Sequence, residues 1–179
     1  MKENMIVQFV SFETTLDSEA FIVQWNQFHG VINSEGHTTL QQHSLGNGSY
    51  KYISQHRCGS NLFQFILSQE KRSPKIPKTQ IKKRQAGGYT VLQLECVREP
   101  RANECKILAF VTNPEVDLDV FRQMAGKSKL NIYQAYYESC AFAYILEYFV
   151  RNEYAPDILQ ELKTITAFAE AGVYKECQL

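Results

Sequence analysis

Asn131-Ile-Tyr-Gln-Ala-Tyr-Tyr-Glu138 and Phe142-Ala-Tyr-Ile-Leu-Glu-Tyr-Phe-Val150 are two aromatic and β-branched runs separated only by Ser139-Cys140-Ala141. Such residues fit a pleated, half-buried surface, and the short polar break between them predicts a hairpin. Working outward, Lys106-Ile-Leu-Ala-Phe-Val111 reads as a strand closed by Asn113-Pro114. Val116, Leu118, Val120, Phe121 and Met124 then form a helical stripe that stops at Gly126. Beyond the hairpin, Pro156 opens a helix predicted from Asp157 to Glu170, with Ile158, Leu159, Leu162, Ile165 and Phe168 on one face. Gly172 ends it, and residues 173–179 make a last short strand. The order is βαββαβ.

The first half repeats that order. Met5 to Phe12 is a strand, and Asp17 or Ser18 caps a helix carrying Phe21, Ile22, Trp25 and Phe28. Thr38 to Leu45 and Tyr50 to Cys58 flank the turn Gly46-Asn47-Gly48. Asn61 to Ser68 opens a second helix, and Tyr89 to Cys96 is the closing strand after Gly87-Gly88. Phe21 aligns with Phe121, and Tyr52-Ile53 with Tyr144-Ile145. The expected fold class is therefore α+β, two ferredoxin-like βαββαβ repeats over residues 1–99 and 104–179. They are expected to pack sheet to sheet as a dimeric α/β barrel within one chain, with Val97 to Glu104 as the hinge. Each half would cover the other's bare aromatic face and leave a lined space between.

Composition narrows the function. The chain has 179 residues with 19 Lys+Arg against 19 Asp+Glu, so no global field attracts nucleic acid or anionic lipid. The aromatic share, 12%, predicts a ring-rich interior. No run of 18 apolar residues predicts a membrane span, and the start Met1-Lys2-Glu3-Asn4 does not read as a secretory signal. Five cysteines (58, 96, 105, 140 and 177) show neither C-x-x-C nor zinc spacing, which predicts reduced thiols in a cytoplasmic protein with no metal. No phosphate loop, Ser elbow or His-Glu-x-x-His is present, so no nucleotide or other cofactor is expected.

The run Phe142-Ala-Tyr-Ile-Leu-Glu147-Tyr-Phe149-Val-Arg151, followed by Ala155-Pro156 and by Leu162-Lys-Thr-Ile-Thr-Ala-Phe168, resembles the antibiotic biosynthesis monooxygenase family. In that family a third strand ending Glu-x-aromatic leads into a helix with a late Phe. The resemblance is to its tandem members, in which one chain supplies both halves of a dimeric α/β barrel. It implies a cofactor-independent monooxygenase acting on a small aromatic or polyphenolic compound between the sheets. The alternative is a non-catalytic ligand-binding or interaction protein of the same fold. Haem-degrading members of the superfamily carry a Trp after the third strand and a His in the second helix. Here Phe149 stands at the first place and residues 157–170 contain no histidine, so haem chemistry is not expected.

The candidate catalytic residues are His43, His56 and Glu147. The two histidines lie on the strands of one hairpin, where they could stand near each other as a neutral-pH acid/base group. Glu147, between Ile145 and Phe149, is expected on an apolar face with a raised pKa. Tyr50, Tyr52, Tyr133 and Tyr137 are the candidate substrate-binding residues. The basic run Lys71 to Arg84, with seven basic residues and no acid, reads as an exposed, mobile loop. The expected partner is a small aromatic ligand, with no membrane and no nucleic acid, on a monomer or homodimer.

Overall fold

The computed structural model describes residues 5–29, 37–46, 50–59, 80–165 and 168–177. The strands are β1 (Met5–Thr14), β2 (His37–Gly46), β3 (Tyr52–Gly59), β4 (Ile81–Gln93), β5 (Glu104–Val111), β6 (Lys129–Ala135), β7 (Tyr144–Arg151) and β8 (Phe168–Glu176). The described helices are α1 (Ser18–His29), α2 (Leu118–Ala125) and α3 (Ala155–Leu162). The strands form one closed antiparallel barrel in the order β1-β3-β2-β8-β5-β7-β6-β4. This corrects the expected pair of ferredoxin-like βαββαβ repeats packed sheet to sheet. Two stacked sheets would leave four edge strands with unpaired backbone groups. Here β2 pairs with β8 and β4 with β6, so the edges satisfy one another around a single ring.

Strand alternation sorts the core into layers. Val7, Phe9, Ile53, Tyr89, Leu108, Phe110, Tyr133, Ile145 and Tyr174 point inward and meet Tyr50 and Phe142 along the barrel axis. On the outside, Phe121 of α2 and Ile158, Leu159 and Leu162 of α3 cover Ile107, Ile132, Leu146 and Tyr148. Phe21 and Trp25 of α1, both fully buried, cover Val10, Phe12, Leu40 and Tyr52. The Phe21 ring stacks on Tyr52 at 4.0 Å, which anchors the helix to its sheet. Asp17 caps α1 as expected, accepting from Ala20 N at 2.8 Å, while α2 starts later than Asn113-Pro114 suggested and is capped by Asp117, which accepts from Asp119 N at 2.9 Å. Gly126 closes α2 with φ 54°.

Three element boundaries differ from expectation. The helix opened by Pro156 stops at Leu162 rather than Glu170, and β8 already begins at Phe168. The β-branched run Thr164-Ile165-Thr166 weakens a helix there, and the chain gains a full ladder on β5 instead. Strand β4 is thirteen residues long, starts at Ile81 and carries Gly87-Gly88 in its middle. The end of the basic run is thus strand, with Arg84 opposite Phe12 and Lys83 opposite Glu13. The rest of that run to residue 79, the predicted helix at 61–68 and the turn residues 47–49 lie outside the described residues. No described helix is long and apolar enough to cross a membrane.

The β2–β8 seam depends on two glycines. Gly46 has φ 106° at the bulged end of the pairing, a conformation that L side chains rarely adopt. At Gly172 an added Cβ would lie 2.6 Å from His43 Cδ2 and 3.1 Å from the Leu45 carbonyl oxygen. Gly172→Ala should therefore cost about 1–3 kcal/mol in urea unfolding, as overpacking does elsewhere. Removing the imidazole as well, in His43→Ala/Gly172→Ala, should recover part of that loss. An unchanged or additive loss would show that His43 does not set the spacing of the seam.

Candidate functional site

The inward positions of β5, β6 and β7 include three that are not apolar: Lys106, Asn131 and Glu147. Glu147 and Asn131 are fully buried, and Lys106 is 2% exposed. A bare carboxylate in such a place is costly, so its partners decide its state. Lys106 Nζ lies 3.2 Å from Glu147 Oε1. Tyr133 donates its hydroxyl to Oε2 at 2.6 Å, Asn131 Nδ2 donates to the same oxygen at 2.7 Å, and an Arg57 nitrogen stands 3.7 Å away. Lys106 also reaches both carboxylate oxygens of Glu99, at 3.2 and 3.4 Å, and lies 5.4 Å from the centre of the Phe149 ring.

Asn131 ties this cluster to the chain crossing between the halves. Its Oδ1 accepts from the backbone nitrogens of Glu95 and Cys96, and its Nδ2 also donates to the Cys96 carbonyl. From Tyr133 the network runs on, since Gln55 donates to the Tyr133 oxygen at 3.4 Å and Gln41 donates to Gln55 at 3.0 Å.

These contacts reverse one expectation. Burial is the largest influence on Glu147 and pushes its pKa up. Lys106, the hydrogen bonds from Tyr133 and Asn131, and then Arg57 together outweigh it and hold the carboxyl below its ordinary value. Glu147 is a committed anion rather than a base poised near neutrality. Tyr133 shifts the other way: burial first, then the adjacent Glu147 charge, raise its phenol well above the usual value.

The histidines are not brought together. Thr38 stands opposite His56 across the hairpin, and His43 N bonds the Lys51 carbonyl instead. His56 is 2% exposed and faces outward with Tyr52 and Ser54, beside Gln8 of β1. His43 lies at the β2–β8 seam, with its ring 5.4 Å from the inward-facing Tyr174 ring. Burial pulls the His43 pKa below its ordinary value against weaker opposing pulls from the Leu45 backbone and Glu170. The tyrosines also separate. Tyr50 points inward and donates to Gln85 at 2.6 Å, because alternation breaks at Lys51, while Tyr52 points outward and donates to Ser18 at 3.0 Å. Tyr137 lies half-exposed in the β6–β7 loop, edge-on to Tyr136. The side chains of His29 and His37 lie outside the described residues.

The barrel axis is filled. Tyr50, Phe110 and Phe142 form a ring contact set with centroids 4.9–6.1 Å apart, and Phe9 packs edge-on against Tyr89 and Tyr133. The void left beside them measures only about 10 Å3. Open space lies instead at the two mouths. One cleft of about 370 Å3 sits where β5 begins, over Lys106, Glu99 and Gln41. The other, about 450 Å3, sits past the end of β5 and is walled by Tyr136, Tyr137, Phe142, Tyr144 and Pro114.

Among the described residues, no group of three His, Cys, Asp or Glu side chains could hold a metal ion, and Cys96, Cys105, Cys140 and Cys177 are free thiols. A haem does not fit the second half: no histidine follows His56, and the layer between α2, α3 and the sheet is closed by Phe121, Tyr148, Ile158 and Leu162.

Sequence reasoning found Glu147 and Tyr133 but missed Lys106, Asn131, Arg57 and Gln55. The available signal was Lys106, the one charge in the run Cys105 to Val111, at even spacing with Leu108 and Phe110. Glu147→Gln should cost about 3–5 kcal/mol in urea unfolding, because Lys106 loses a buried counter-charge. Lys106→Met/Glu147→Leu should cost less than the sum of its two single changes. The folded pKa of Glu147 is depressed, so its contribution to stability is full above the unfolded value near 4.5 and is lost as pH falls through the lower folded value. The acid limb of a stability–pH curve should therefore flatten in Glu147→Gln, and an identical limb in both proteins would contradict the ion pair.

No protein-family model matches the chain, and no curated protein sequence does. Solved structures do. A doubly substituted chlorite dismutase from Candidatus Nitrospira defluvii superposes with TM-score 0.59 at 8% identity, over 99% of this chain and 93% of that one. The imidazole complex of chlorite dismutase from the same organism gives 0.56 at 9%, over 98% and 92%. A protein of Fusobacterium nucleatum subsp. nucleatum, provisionally assigned as a monooxygenase, gives 0.52 at 9%, over 99% and 94%. Identity this low speaks to fold alone. The fold of the chain is similar to that of these chlorite dismutases and of the Fusobacterium protein.

Proposed function

We propose that this chain binds a small aromatic compound in the tyrosine-walled cleft at the β6–β7 mouth. The observation that carries this reading is the lining of that cleft. About 450 Å3 is bounded by Tyr136, Tyr137, Phe142, Tyr144 and Pro114, with Gln134, Thr112 and Glu138 as sparse polar groups. Ligand sites typically combine apolar and aromatic walls with a few polar groups in about 300–1,000 Å3. The relation to monooxygenase-like folds supports an aromatic ligand, and the resemblance of the segment around Glu147 to antibiotic biosynthesis monooxygenases points the same way.

The reading moves the ligand from between the sheets to the mouth, because Phe142 and its neighbours occupy the axis. It also favours binding over base-assisted oxygenation. His56 faces away from the axis, His43 stands apart from it, and Glu147 is held by Lys106, Tyr133 and Asn131. None of these three reaches the cleft walls.

Calorimetry with an anthrone and a naphthoquinol, run beside an oxygen electrode, tests the proposal. The expected result is saturable binding without oxygen uptake above autoxidation. Tyr137→Ala, at a half-exposed position, should leave stability within about 0.5 kcal/mol and weaken binding by about 3–10-fold, the worth of one aromatic contact. Binding that ignores this change would overturn the assignment of the cleft. Catalytic oxygen uptake lost in Tyr133→Phe would restore the oxygenase reading.

A further inference from the structure

The opposite mouth carries a second, chemically different site. Its cleft of about 370 Å3 is lined by Gln41, Glu99, Lys106 and Tyr174 toward the interior and by Ala102 and Asn152 toward solvent. Gln41 is 1% exposed. Its Nε2 is used by Gln55, while its Oε1 has no donor among the described residues. Behind it, Glu147 Oε1 lies close to Lys106 but without the alignment of a hydrogen bond. Glu147 Oε1 is thus answered by the Lys106 charge, whereas Gln41 Oε1, a buried acceptor on the wall of an open cleft, has hydrogen bonds that the described residues do not complete.

The charges identify what could complete them. Lys106 already faces Glu99 and Glu147, Arg57 faces Glu147, and Arg98 forks onto Glu104 at 2.7 and 3.0 Å. Three cations oppose three carboxylates, and the rim adds one lysine, Lys175, and one glutamate, Glu176. An anionic ligand would meet Glu99, and a cationic one would compete with the buried ammonium of Lys106. The neutral donors on its wall, Tyr174 and Asn152, are turned to the backbone carbonyls of Tyr50 and Ala102, so what Gln41 lacks is donors. Hydroxyl groups supply them, because each O–H can donate to Gln41 or Glu99 while its oxygen accepts from Lys106.

We infer that this mouth binds a neutral polyhydroxylated small molecule, a sugar or polyol. The inference stands apart from the aromatic cleft, which lies past the other end of β5. Isothermal titration of the full chain with glucose and myo-inositol, beside spermidine and acetate, tests the class. At least one polyol should bind with Kd in the range of about 0.1–10 mM, and the amine and the carboxylate should not. Ala102→Trp fills the cleft from an exposed loop position, so it should abolish polyol binding with Tm unchanged and leave aromatic binding intact. Gln41→Leu should weaken polyol binding by about tenfold or more, the cost of losing a ligand hydrogen bond. Tyr137→Ala should not affect it. The inference is overturned if neither polyol binds, leaving the cleft to water, if spermidine or acetate binds instead, or if Ala102→Trp binds polyol as the wild type does.

Discussion

Everything in this fold follows from the closure of a hydrogen-bonded ring. Once β2 meets β8 and β4 meets β6, no strand has a free edge, and every strand must present alternate side chains to one shared interior. An eight-stranded barrel has an interior that side chains can just fill. Here they do: Tyr50, Phe110 and Phe142 occupy one end, Phe9, Tyr89 and Tyr133 the middle, and a cluster of charges the other end. The high content of rings is what filling such a space from eight converging strands demands. The two larger clefts among the described residues accordingly lie at the two mouths.

The same closure makes the charged end costly and specific. Glu147 lies between inward Ile145 and Phe149 and is fully buried. Its charge is balanced within the barrel by a lysine from β5 and an arginine from β3, and its hydrogen bonds come from two β6 side chains. Asn131 does double duty, since the groups that hold Glu147 also pin the turn at Glu95 and Cys96. The segment joining the halves is thereby fastened to the interior of the barrel, and Glu99 of that segment completes the shell around Lys106.

Much of this was legible in the residues. The β-branched and aromatic runs located six of the eight strands to within a few residues, and Asp17 and Gly126 marked helix ends because capping is local chemistry. Alternation put Ile145, Glu147 and Phe149 on one face, which the barrel confirms. What failed were inferences that needed distant partners. Phe168 was read as the late apolar residue of a helix, since its spacing from Leu162 and Ile165 is helical, but an open ladder on β5 outweighed that spacing. The closing strand was expected to start after Gly87-Gly88, but β4 runs through both glycines, with Tyr89 and Cys140 close to Gly87. His43 and His56 were paired by their strands, and only the register shows Thr38 in that place. The state of Glu147 depends on such a partner too: an apolar neighbourhood raises a carboxyl pKa, but Lys106, distant in sequence and brought alongside by the β5–β7 ladder, lowers it.

The two mouths differ because the strand ends differ in what they bring inward. At the start of β5 the inward residue is Lys106, and the strands beside it offer Gln41, Phe149 and Tyr174, so the wall is a polar network anchored by an ion pair. Beyond the end of β5 the inward space is capped by Phe142 from the β6–β7 loop, and the surrounding loop adds Tyr136 and Tyr137. A loop can be rebuilt without disturbing a ladder, whereas Lys106 and Glu147 are fixed by register. The polar mouth is accordingly part of the barrel's own stability, whereas the aromatic mouth is built from a loop that can vary without disturbing the ladder. Chemistry at Glu147 would require withdrawing Lys106, Tyr133 and Asn131 from an interior that has almost no void to receive them. A ring-packed, ion-paired axis with its open clefts at the rims is the arrangement that this sequence, folded into this ring, supports.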